Sequence, residues 1–245
     1  MSNKLLILIK GELQRLNKYN VTTVSFVVAV IWFLLLYFID DIDILKSMLP
    51  FVIIIDATMM SIIFIGAIMF FEKTEQTFST MLVTPVSNQE LILSKAIANT
   101  IHSLLSSFLI ILVFYFVKGV EVNFILILPV LALSIFFHSL LGFVFSFFAK
   151  DFTSMLVNTM IYFFLFSIPA ILNYFDLVFK GEIWSYLLLI TPTQSAIELI
   201  QVGFNQEIGL KSIIAFLILL LGSIFGYKYY VLPKFKEYAV KQSGV

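Results

Sequence analysis

The chain has 245 residues, 61% of them hydrophobic and 12% charged, with a mean hydropathy of +1.06. A soluble domain is about half apolar and a quarter charged, so this composition excludes a fully water-facing surface. Zero formal net charge argues against nucleic acid as a partner, and the absence of cysteine excludes disulfides, Cys-ligated metals and thiol catalysis.

The first apolar run, Leu5 to Ile9, is too short for a removable signal peptide, and no small-residue cleavage site follows it. Residues 4–19, KLLILIKGELQRLNKY, pair basic side chains with a Leu and Ile cluster. That pattern suits an amphipathic helix lying in the membrane interface; a plain basic anchor that sets topology is the other reading. A spanning helix needs about 20 mostly apolar residues. Six stretches qualify: Val21–Ile39, Met48–Phe71, Ala96–Val117, Phe124–Ala149, Thr153–Phe175 and Ser212–Leu232. The expected fold class is therefore an all-α integral membrane protein with six transmembrane helices. It forms one domain over residues 21–232, between an interfacial segment (1–20) and a basic tail (233–245).

Lys and Arg set the orientation. With the N-terminus inside, the inner segments carry Lys4, Lys10, Arg15, Lys18, Lys73, Lys95, Lys150, Lys228, Lys234, Lys236 and Lys241. The outer side carries only Lys46, Lys118, Lys180 and Lys211, and its first loop is acidic at Asp40, Asp41 and Asp43. Both termini are expected in the cytoplasm, together with the most polar stretch of the chain, Glu72 to Lys95.

In that stretch Phe78, Met81 and Leu82 fall at i, i+3 and i+4, which gives a short helix a small apolar patch. Glu72 to Gln76 would keep the start of this helix wet, with carboxylates in its first turn. Pro85 stops it by pushing Thr84 out of the helical region. Ser87 to Glu90 spells a capping box that restarts a helix into the third span. The second inner turn, Ala149 to Thr153, is very short; Lys150 suits a topology signal, and Asp151 or Thr153 can cap the fifth span. From Asp176 to Lys211 the apolar runs on either side of Pro192 are too short to cross about 30 Å of hydrocarbon. They can dip in and return where protein surrounds the broken backbone, with Thr191-Pro192-Thr193-Gln194 as the break.

Intramembrane catalysis lacks its residues. No Gly-x-Ser-Gly, His-Glu-x-x-His or Gly-x-x-x-x-Gly-Lys motif occurs, and the two histidines, His102 and His138, lie in different spans. Each histidine suits a helix–helix hydrogen bond or a place on a substrate path. Asp56 is the carboxylate well inside a span, about two turns from the outer end of the second. It can serve substrate, bind a cation, pair across a dimer, or simply sit protonated near the interface. Glu198 and Gln201 are weaker candidates of the same kind. The 28 Phe, 10 Tyr and 2 Trp include runs at Phe143 to Phe148 and Tyr162 to Phe166, which suit either an aromatic wall for flat cargo or lipid-facing packing.

The Glu72–Lys95 stretch resembles the first cytoplasmic loop of ABC-2 type transporter permeases. The pattern there is roughly E-(R/K)-x-x-G-T-(L/F)-x-x-L-L-x-(T/S)-P, followed by a helix opening near an acidic residue and a Lys. Glu72, Lys73, Thr77, Phe78, Met81, Leu82, Thr84, Pro85, Glu90 and Lys95 fall on it. Gln76 stands where Gly is usual, and Ser94 where Gly commonly precedes the Lys. The wording and compact length look most like the fluoroquinolone and drug-export permeases. The resemblance implies a coupling helix in this loop, seated in a separate cytoplasmic ATP-binding subunit, with a smaller contact at Lys150 and Asp151. It also implies a connecting helix at the N-terminus, and an outer lid of two re-entrant helices that includes Thr191, Pro192, Gln194 and Glu198. ATP and Mg would be bound by the ATPase, with no cofactor on this chain. A second permease chain, identical or paralogous, would complete a dimer among membrane lipids. The implied function is outward export of small amphiphilic drugs, peptides or lipids across a bacterial plasma membrane. The alternative is a non-ABC secondary transporter or channel with an ion site at Asp56.

Overall fold

The computed structural model describes residues 3–75, 77, 84–204 and 207–242. Helix makes up 85% of the structure, and no strand occurs among the described residues. Helix α1 (Asn3–Lys18) turns into α2 (Val21–Tyr37) through a 65° bend. The bend is made at Asn20, whose φ of 59° is left-handed, a conformation that Asn tolerates better than most residues. Helices α3 (Ile42–Thr74), α4 (Asn88–Lys118) and α5 (Phe124–Phe148) follow, each long and apolar enough to cross a membrane.

The next crossing, Phe152–Tyr174, is α6 (Phe152–Tyr162), a π-helical turn (Phe163–Ser167) and α7 (Ile168–Tyr174). Two short helices, α8 (Glu182–Leu188) and α9 (Pro192–Gly203), precede the last crossing. That crossing combines α10 (Leu210–Phe225), a second π turn (Gly226–Val231) and α11 (Leu232–Gln242). Both π turns run up to a proline, Pro169 and Pro233. Proline has no N–H to return to the preceding turn and its ring crowds that turn, so a widened turn just ahead of it relieves the clash. With α2, whose 17 residues rise about 26 Å, these helices make up the six stretches expected from hydropathy.

The boundaries differ where caps extend the helices. Asp41 accepts from the backbone N–H groups of Asp43 and Ile44, so α3 starts at Ile42 rather than Met48. Asp56 therefore lies about four turns into its helix, not two. The Ser87–Glu90 capping box is formed and starts α4 at Asn88, well before Ala96. The expected tail is helical in part, with Phe235 fully buried against Phe143 and Phe147.

Helix α3 is the centre of the bundle. A Cβ on Gly142 of α5 would meet the Ile62 carbonyl oxygen of α3 at 2.8 Å, so the two backbones approach as only glycine allows. One apolar cluster joins Leu49 and Ile53 of α3, Phe114 of α4, Ile135 of α5, Ile200 of α9 and Leu219 of α10. Large apolar side chains such as Phe26, Phe116, Ile125 and Phe164 face outward, a surface that belongs in lipid. Helix α1, the α3–α4 junction, the α5–α6 turn and α11 gather at one end with much of the Lys and Arg, called the basic end below.

Replacing Gly142 with Val should destabilise the fold by about 1–3 kcal/mol through overpacking, read as a lower thermal midpoint in detergent. Gly11→Ala, where a Cβ meets nothing within 4 Å, should leave the midpoint unchanged or slightly raised.

Candidate functional site

Glu12 and Arg15 stand three residues apart on α1 and so share a face. Opposite them are Glu72, in the last turn of α3, and Lys95, in the second turn of α4. Lys95 Nζ donates to Glu12 Oε1 at 2.9 Å and also to Glu72 Oε1. Arg15 Nη1 lies 3.0 Å from Glu12 Oε1 and 2.7 Å from Glu72 Oε1. Glu72, Lys95 and Glu12 are buried at 0%, 1% and 4% exposure. Two carboxylates and two cations balance, which is the condition for holding ions out of water, because each costs several kcal/mol to desolvate. The second oxygens of Glu12 and Glu72 have no hydrogen-bond partner among the described residues, so this pairing runs through one oxygen of each carboxylate.

This arrangement corrects the reading of Glu72. It is neither wet nor in the first turn of a separate helix; it ends α3, where the helix dipole disfavours a carboxylate. The cations from α1 and α4 offset both that dipole and the burial.

Two exposed clasps flank the quartet. At one end of α1, Lys4 donates to the Pro85 carbonyl and lies 3.4 Å from Glu90. At the other end, Tyr19 donates to Glu75 at 2.8 Å and Lys18 lies 3.3 Å from the same carboxylate. The tyrosine hydroxyl, then Lys18, holds the Glu75 carboxyl below its ordinary value. Burial, reinforced by Glu75, pushes the Tyr19 hydroxyl up. Helix α1 thus grips both arms of the polar loop, before residue 76 and after residue 83. Lys73 and Pro85 are exposed, and Thr77 donates to the Glu72 carbonyl at 3.3 Å. Phe78, Met81 and Leu82 lie outside the described residues.

The remaining candidates do not converge. Asp151 caps α6, where the Ser154 N–H holds its carboxyl below the ordinary range, beside exposed Lys150. Asp56 accepts from the Trp32 indole at 3.0 Å. His102 packs edge-on to Phe64, with its Nδ1 unpartnered among the described residues. His138 bridges the Ser134 carbonyl and the Tyr162 hydroxyl, at 2.7 and 3.0 Å. Tyr162 and Ser167 both meet Thr193 Oγ1, at 3.0 and 3.1 Å, which ties the start of α9 to the first π turn. Thr191 caps α9 and Pro192 opens it; Gln194 donates to Asn173, and Glu198 accepts from Ser212. Sequence reasoning missed Glu12 and Asn99. The Asn99 amide joins Ser61 of α3 to Ser139 of α5, at 3.0 and 2.8 Å.

The ABC-2 type transporter profile matches residues 3–205, a span that contains the whole charged quartet. The chain belongs to the ABC-2 type transporter family. Comparison with curated proteins gave no match. The protein is a multi-pass membrane permease component of an ABC-type transporter, not itself catalytic, and membership implies association with an ATP-binding subunit. Membership favours this reading over a channel built on Asp56.

In the permease, Lys95→Met should cost about 3–5 kcal/mol, because it strands buried carboxylates. The double variant Glu72→Gln/Lys95→Met leaves the Glu12–Arg15 pair balanced and should recover much of the loss. Thermal unfolding of the detergent-purified chain checks both.

Proposed function

We propose that this chain is the membrane-spanning half of an ATP-driven exporter and that the loop between α3 and α4 is its coupling element. The observation that carries this reading is the grip of α1 on both arms of the loop, at Glu75 and Glu72 on one side and at Pro85, Glu90 and Lys95 on the other. The Lys and Arg excess at the same end supports a cytoplasmic position for it, on the side where ATP is. An ATP-binding subunit would seat Phe78, Met81 and Leu82, with Lys150 and Asp151 as a smaller contact.

Because α3 and α4 lead away from the loop as continuous helices, displacement of the loop is displacement of two spans, and α1 travels with them. One such loop serves one ATPase, so the working unit has two permease chains and two ATP-binding chains. Alternating access would expel cargo past α8 and α9, acting as an outer lid. Small amphiphilic cargo fits a groove of about 510 Å³ lined by Phe145, Tyr162 and Phe166, with Asn158 as a polar group and Pro192 beside it. The wording of the loop supports a place among drug-export permeases in a bacterial plasma membrane.

Co-expression with a cognate ABC ATP-binding protein should give a stoichiometric complex with ATPase activity. Met81→Glu or Leu82→Glu should leave the purified permease folded while separating ATP hydrolysis from transport. Normal transport by these variants would remove the docking role from the loop.

A further inference from the structure

A second groove, of about 450 Å³, opens on the outer face of the bundle between α4, α5 and α10. Its walls are apolar, formed by Leu93, Leu133, Phe136 and Leu220, while its mouth at the basic end carries Gln89 and Lys228. Both mouth residues are exposed, and no carboxylate lines the groove among the described residues. The nearest acid in sequence to Gln89, Glu90, is engaged with Ser87 and Lys4. Lys228 forms no ion pair among the described residues and lies 5.3 Å from the Tyr229 ring centre. Ser223 also lines the groove; it is 4% exposed, and its hydroxyl has no hydrogen-bond partner among the described residues.

These features are ordered as an amphiphile is ordered. From Leu220 to Leu232 the helix rises about 18 Å, close to the roughly 15 Å of one hydrocarbon leaflet. Ser223 lies about 7.5 Å deeper than Lys228 along the helix, on the apolar side of the lysine. A buried hydroxyl needs an acceptor, and an exposed lysine at the membrane surface attracts anionic headgroups.

We propose that this groove binds one anionic phospholipid of the leaflet at the basic end. The phosphate sits at Lys228, an ester carbonyl accepts from Ser223, and one acyl chain lies along Leu93, Phe136 and Leu220. The site rests on the chain's place in a membrane and not on docking of an ATP-binding subunit.

The test is photolabelling of the purified full-length chain in phosphatidylcholine nanodiscs. The probe is a trace of phosphatidylglycerol carrying a diazirine in its acyl chain, compared with the matching phosphatidylcholine probe. Peptides containing residues 133–136 and 220–224 should be labelled by the anionic probe, and Lys228→Gln should lower that labelling about fivefold. Ile224→Trp, from an exposed position in the groove, should abolish labelling, and Ser223→Ala should weaken it. Equal labelling by both probes, unchanged in Lys228→Gln, would overturn the proposal in favour of ordinary boundary lipid. So would competition by soluble glycerol phosphate, which would mark a site for free phosphate. Absence of labelling with a crosslink between Leu93 of one copy and Ile224 of another would mean that a second copy covers the groove, which also overturns it.

Discussion

The structure depends on a charge balance that cannot be met by any one helix. Glu72 ends α3 in a buried position that its own helix dipole opposes, and Lys95 is sealed from water one helix away. Neither ion is tolerable there alone. Glu12 and Arg15 from α1 complete the balance, so a helix with modest apolar burial becomes obligatory to the bundle. Ile9 and Leu16 add apolar contact on the same helix, while Ile7 remains 70% exposed. The electrostatic demand, more than area, fixes where α1 lies.

Deeper in the bundle, hydrogen bonds take over from charge. Asn99, Ser61 and Ser139 tie α4 to α3 and α5 at a level where no ion occurs among them. Further along, His138, Tyr162, Thr193 and Ser167 tie α5 and the first π turn to the start of α9. In hydrocarbon such polar contacts gain specificity because mispacked alternatives leave them unsatisfied. Along with the glycine-mediated approach of α5 to α3, they join the central spans directly to one another. The π turns beside Pro169 and Pro233 are the places where that regularity is broken.

Much of the fold was legible because apolar runs dominate spanning helices, and the capping box at Ser87 and Glu90 was readable from spacing alone. The start of α3 was not. Asp43, Lys46 and Ser47 interrupt the hydropathy signal, and only the cap at Asp41 reveals that the helix begins there. The quartet was half legible: Glu72 and Lys95 fall on a family pattern, but Glu12 reads as an ordinary polar residue of an amphipathic helix. Its partner is 83 residues away, and no local pattern carries that distance. Asp56 drew notice for its charge, yet its neighbour is the Trp32 indole, which composition does not announce.

The ion pairs that bind α1 to both arms of the loop should make the three move as one rigid body. The direct measurement is the distance between spin labels at Lys10 and Lys73, both exposed, in the assembled transporter with and without trapped ATP. A single unchanged distance, which broadens on Lys95→Met, is the predicted result. A distance that changes between the two states in the unsubstituted background would show α1 leaving the loop during the cycle, and would contradict it.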